Sequence, residues 1–104
     1  LYTVCRKLDA DAEARTVTNI PLLFDFFARE IKLFDVTAGL ANVTGPVMIL
    51  GGEEDPILPP PYQSELQAAL TNAQVTRHSF AACGHTLALD APDALAKALL
   101  DFIG

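Results

Sequence analysis

Two short stretches of the chain hold residue types that could do chemistry together: Gly51-Gly52-Glu53-Glu54-Asp55-Pro56-Ile57 and Cys83-Gly84-His85. A carboxylate on one loop can accept a hydrogen bond from one ring nitrogen of an imidazole on a neighbouring loop. That bond fixes the tautomer, and the other nitrogen can then take a proton from a nucleophile. Asp55 and His85 thus read as two parts of a nucleophile–base–acid triad. An Asp before Pro is also a common turn residue, so Asp55 alone would carry no more than a structural reading. The third part is harder to find. Ser64 and Ser79 are the only serines, and they fall on a predicted helix and a predicted strand between the acid and the histidine. Neither is a credible nucleophile. Cys83 sits two positions before His85, but near neighbours on a tight loop rarely point at each other, so we read it as a small packed thiol. His78, Glu53 and Glu54 receive no role.

The elements that must position these loops follow from hydrophobic periodicity. Val47, Met48, Ile49 and Leu50 form a continuous apolar run between Pro46 and Gly51, as in a parallel strand covered on both faces. After a Gly- and Pro-rich loop from Gly52 to Pro61, Tyr62, Leu66 and Leu70 recur at helical spacing. Val75 to Phe80 alternates, which fits a strand near a sheet edge. Strand, crossover helix and strand make a βαβ unit, with both chemical loops just past the carboxyl ends of the strands, where α/β sheets bind their ligands. A closing helix is expected with Asp90 as N-cap, Pro92 in its first turn, and Leu95, Leu99, Phe102 and Ile103 as its apolar face.

Ahead of this unit, Leu1 to Asn19 reads as a short exposed helix or connector, and Pro21 to Phe34 as a helix with Leu23, Phe27, Ile31 and Phe34 on one side. On a wheel of about 100° per residue, Asp25, Arg29 and Lys32 share the opposite, wet face. Glu30 projects into the apolar stripe, where an unpaired carboxylate would cost several kcal/mol. A misplaced charge of this kind is a candidate anchor for a ligand, or one half of a buried ion pair.

Composition narrows the function classes. With 51% hydrophobic and 19% charged residues, the chain is made to pack rather than to remain disordered. A net charge of −6, with no Lys/Arg cluster, argues against nucleic-acid and anionic-membrane partners. No apolar run approaches the length of a membrane span, and Cys5 and Cys83 make neither a disulfide framework nor a zinc pattern. A strand coded for burial on both faces, with one companion, needs further neighbours. We therefore expect a larger α/β domain, completed by a missing N-terminal segment, a second chain or a swapped copy.

The run Pro46-Val47-Met48-Ile49-Leu50-Gly51-Gly52-Glu53-Glu54-Asp55-Pro56, and Gly84-His85 followed by Asp90-Ala91-Pro92, resemble the acid loop and histidine loop of the α/β-hydrolases. The resemblance implies an α/β fold: the C-terminal βαβα part of the sheet over residues 45–104, preceded by the end of a helical cap over residues 1–44. It also implies a hydrolase with His85 as general base and acid, Asp55 as its orienting carboxylate, and no metal or organic cofactor. The segment Phe26-Phe27-Ala28-Arg29-Glu30 with Phe34-Asp35 is similar to the cap of proline iminopeptidase-like enzymes. That likeness implies an aminopeptidase acting on small peptides, amides or esters, with Glu30 binding the substrate's amino group. The family's Gly-x-Ser-x-Gly elbow does not occur in this chain. The expectation is then a second polypeptide that carries it, with the break in or near the cap. Two alternatives stay open: a non-catalytic hydrolase-like interaction module, and an epoxide hydrolase- or dehalogenase-type member with an Asp nucleophile.

Overall fold

In the computed structural model, which describes residues 10–104, two parallel strands lie side by side and helices flank them. Cys5 and the start of the Leu1–Asn19 segment lie outside the described residues. Strand β1 (Gly45–Gly52) pairs with β2 (Ala73–Phe80) in an unbroken register from Gly45↔Ala73 to Gly52↔Phe80. Both strands run longer than the apolar pattern alone indicates. Parallel strands cannot be joined by a tight turn. Here helix α3 (Pro60–Ala69) makes the crossover, entered through Pro59, Pro60 and Pro61, whose fixed φ suits a first turn.

Beyond β2 come the single turn α4 (Leu87–Asp90) and helix α5 (Pro92–Ile103). The cap of α5 differs from expectation. Its N-cap is Ala91, with no side-chain cap bond, while the buried Asp90 carboxylate instead accepts the Gly84 N–H at 2.7 Å. A bond into the histidine loop thus takes the place of a bond to the helix.

The N-terminal part is built of short pieces. Helix α1 (Ala10–Arg15) carries an exposed Arg15–Asp11 pair, and α2 (Ile20–Asp25) is capped by Asn19, whose Oδ1 accepts the Leu22 N–H at 3.0 Å. Asp25 and Arg29 pair at 2.6 Å, as their shared wet face requires. The remainder of the expected helix departs from α geometry: a π turn covers Phe26–Glu30 and a 3₁₀ turn covers Ile31–Leu33. A π turn puts an extra residue into the turn, so positions after Phe26 leave a 100° wheel. Glu30 is exposed rather than buried, but so are Leu23, Phe27, Ile31 and Phe34 of the expected stripe, because nothing among the described residues covers this face.

The core is thin. Ile49, Leu70 and Cys83 are its buried apolar side chains among the described residues, while Leu100 and Ile103 on α5 are 69% and 80% exposed. A radius of gyration of 16.0 Å, against about 13 Å for a compact domain of this length, fits an opened-out arrangement. Among the described residues β1 pairs with β2 alone, which leaves its other edge open, and Val47, Met48 and Leu50 are only partly buried, short of the covering on both faces read from the sequence.

Where β1 ends, the backbone comes close to the histidine loop. Glu53 N–H donates to Phe80 O at 3.0 Å and Glu54 N–H to Cys83 O at 2.9 Å, carrying inter-strand bonding past the strands themselves. A Cβ at Gly52 would collide with the Cys83 and Gly84 carbonyls. Gly52→Ala is therefore expected to push the two loops apart and destabilise the fold by about 1–3 kcal/mol. Ile49→Ala should cost about 2–4 kcal/mol through the cavity it leaves. Urea unfolding of both variants, beside the exposed control Leu100→Ala, checks the ranking.

Candidate functional site

The acid loop positions Asp55 by using its two carboxylate oxygens for different tasks. Oδ1 accepts the Ile57 N–H at 2.8 Å and the Leu58 N–H at 3.0 Å, closing an Asx-type turn around Pro56. Oδ2 faces His85 Nδ1 at 2.9 Å. The turn reading and the chemical reading of this residue are thus both realised, one per oxygen. The Asp55 N–H is itself tied to Gly52 O at 3.3 Å, which makes the loop a tight extension of β1.

Electrostatics follows from this geometry. Burial raises the Asp55 carboxyl, whose side chain is only 6% exposed. The Leu58 N–H, the His85 ring, the Ile57 N–H and the charge His85 can carry together outweigh burial and hold it below the ordinary carboxylate value. With Asp55 ionised, His85 Nδ1 carries the proton of the shared bond, so the lone pair of the neutral ring resides on Nε2. His85 remains 41% exposed, accessible to an incoming group, while its partner is shut away.

The histidine loop has its own supports. Ala82 adopts φ 55°, a left-handed conformation that costs a non-glycine residue about 1–2 kcal/mol, at the turn leaving β2. The Gly84 N–H is fixed by Asp90, and the Cys83 carbonyl by Glu54 N–H. Cys83 is a buried thiol. Asp90 and Gly52 hold the two loops in place, a role the sequence reading missed. The Asp90-Ala91-Pro92 segment pointed to a cap, and only the fold of the intervening turn brings its carboxylate back to Gly84.

A cavity of about 290 Å³ opens at this pair, and Asp55 and His85 share its wall with Leu58, Tyr62, Leu66 and Leu87. Gln63 also lines it; its Oε1 is buried without a hydrogen-bond partner among the described residues, a state that costs about 1–3 kcal/mol. Glu30 lies elsewhere. With Asp25, Leu22, Leu23 and Phe26 it borders a second cavity of about 490 Å³ that has no residue in common with the first. Ser64 is on α3, its Oγ accepting from Arg77 at 2.7 Å, and Ser79 is on β2. The structure thus brings together Asp55 and His85, and it brings neither Glu30 nor either serine to them. Among the described residues no cluster of three or more His, Cys, Asp or Glu could hold a metal ion, and no helix is long and apolar enough to cross a membrane.

The chain is 28% identical over 96 residues to the "Putative carbamate hydrolase RutD" of Pseudomonas savastanoi pv. phaseolicola (strain 1448A / Race 6), over 90% of this chain and 36% of that protein. It therefore spans about a third of the length of this curated relative. No solved structure matches. Residues 4–98 match the sequence model of the alpha/beta hydrolase family. With nearly all of its length inside that match, and its acid and histidine loops at the ends of adjacent parallel strands, the chain belongs to the alpha/beta hydrolase family.

Proposed function

We propose that this chain supplies the acid and the general base of a Ser-His-Asp hydrolase that cleaves a carbonyl–nitrogen bond. The observation that carries the reading is the 2.9 Å contact between Asp55 Oδ2 and His85 Nδ1, with Asp55 immobilised through its other oxygen. In this mechanism His85 Nε2 removes the proton from a serine hydroxyl as it attacks the carbonyl. The ionised Asp55 stabilises the imidazolium, and His85 then returns the proton to the departing amine. The serine comes from a Gly-x-Ser-x-Gly elbow on the part of the enzyme outside these 104 residues, which brings the oxyanion hole with it. Residues 1–44 serve as the end of a cap and residues 45–104 as the catalytic part of the core. No metal or organic cofactor takes part.

Two substrate classes fit. A proline iminopeptidase-like aminopeptidase would use Glu30 for the substrate's amino group. Glu30 is exposed and forms no ion pair among the described residues, but it borders a cavity separate from that of Asp55 and His85, so this role requires the cap segment to bring Glu30 over the pair in the assembled enzyme. The name of the RutD relative favours a carbamate, which also yields an amine from a carbonyl carbon. Side-by-side assay of N-terminal prolyl amides and simple carbamates separates them. In the aminopeptidase case Glu30→Gln should raise KM for the prolyl amide at least about tenfold and leave carbamate turnover alone.

In the assembled enzyme, Asp55→Asn or His85→Ala should lower kcat by about 10³-fold or more. Near-normal turnover in either would sink the site assignment. A fluorophosphonate probe should label the elbow serine of the assembled enzyme. Failure to label any species, with hydrolysis retained, would point to an Asp nucleophile; with hydrolysis absent, it would favour an interaction module.

The depressed Asp55 carboxyl also predicts a pH effect on stability. Between its lowered folded value and the ordinary 3.8, the unfolded state binds more protons than the folded one, so stability rises with pH. The contribution is full above that ordinary value and is lost as the pH falls through the folded one. Urea midpoints at about pH 3 and pH 6 should therefore differ less in Asp55→Asn than in the parent.

A further inference from the structure

The wall of the site cavity contains a polar side chain that the mechanism above does not use. Gln63 of α3 is 7% exposed, and its Nε2 donates to the Leu58 carbonyl at 3.2 Å. The Leu58 N–H donates in turn to Asp55 Oδ1 at 3.0 Å, and Asp55 Oδ2 meets His85. A continuous chain of hydrogen bonds thus runs from the first turns of α3, through one loop residue, into the acid–base pair. Room for the carboxamide is provided by Gly51, where a Cβ would collide with the Gln63 side chain.

Leu58 has little else to hold it. Its side chain is 51% exposed, and it is followed by Pro59, Pro60 and Pro61, which have no N–H with which to brace the loop. The N–H and the carbonyl of Leu58 flank one α-carbon, so a bond that fixes the carbonyl restricts the direction in which the N–H points. The buried Gln63 Oε1 has no hydrogen-bond partner among the described residues, which leaves the Leu58 bond as the polar interaction this side chain makes there. An apolar side chain of the same length would fill the same space and lose only that bond.

We infer that Gln63 is a positioning residue for the acid–base pair: by clamping the Leu58 carbonyl to α3, it keeps the Leu58 N–H on Asp55 and the free oxygen of Asp55 on His85. The inference rests on the hydrolase reading for its catalytic consequence, but not for the clamp itself. Gln63→Met keeps the length of the side chain and removes the donor. In the assembled protein, hydrogen exchange at the Leu58 amide should then accelerate about tenfold or more relative to β1 amides. The downfield Nδ1–H resonance of His85 should broaden through faster exchange with water. kcat should fall about tenfold with KM within about twofold, and the same substitution on an Asp55→Asn background should cost less than about twofold.

Unchanged Leu58 exchange in Gln63→Met would overturn the clamp. Equal loss of kcat on both backgrounds would overturn the positioning role and assign Gln63 to general packing. If Asp55→Asn itself leaves turnover intact, the hydrolase reading fails instead, and Leu58 exchange still decides the clamp. Should Gln63→Met not fold, Gln63→Glu serves, because its carboxyl can donate to Leu58 only when protonated. Protection of Leu58, corrected for intrinsic exchange, should then rise as the pH is lowered; protection indifferent to pH contradicts the inference.

Discussion

The in-register parallel pairing of β1 with β2 is the constraint on which the candidate site depends. Because Gly52 lies opposite Phe80, both strands end at one level and their loops leave the sheet together. Parallel pairing forces a long return path, which α3 provides, and the return path places a helix beside the acid loop. The loops are then tied to each other by backbone bonds from Glu53 and Glu54 before any side chain is involved. The Asp55–His85 contact is thus the last rung of a connection that begins at Gly45 and Ala73.

Two buried aspartates divide the work at the end of that connection. Asp55 fixes its own loop with one oxygen and the imidazole with the other, while Asp90 holds the backbone of the histidine loop at Gly84. The Ile57 and Leu58 N–H groups converge on Asp55, and the Gly84 N–H meets Asp90, bonds of the kind that compensate an anion for leaving water. At Asp55 the compensation exceeds the penalty, and the carboxyl is held below its ordinary value in spite of burial. A carboxylate that remains charged inside the protein is what an imidazole needs if it is to become positive during a reaction.

Much of this was legible in the sequence because it is local. The apolar run at Val47 to Leu50, the alternation at Val75 to Phe80 and the stripe of the last helix each lie within one element, and each element is present. Asp55 and His85 could be paired because loop positions at neighbouring strand ends follow from topology. What escaped was set by other things. Glu30 was read as a buried charge because the apolar stripe around it was expected to be covered, whereas Leu23, Phe27, Ile31 and Phe34 are exposed along with it. Asp90 was taken for a cap because its partner, Gly84, depends on how the intervening turn folds back. Gln63 looked like any polar residue on a helix, and only the tertiary packing over Gly51 turns it toward Leu58.

The register also limits how this site could vary. A strand rises about 3.3 Å per residue, whereas a hydrogen bond tolerates only a few tenths of an ångström. Slipping β1 by one position would carry Asp55 out of reach of His85 and would turn every side chain of the strand to the opposite face. Insertions or deletions inside Gly45–Gly52 or Ala73–Phe80 are therefore closed to this scaffold unless they occur as matched pairs in both strands. Length variation is left to the stretches before β1 and between α3 and β2, where a change in the chain does not alter the level at which the two loops emerge.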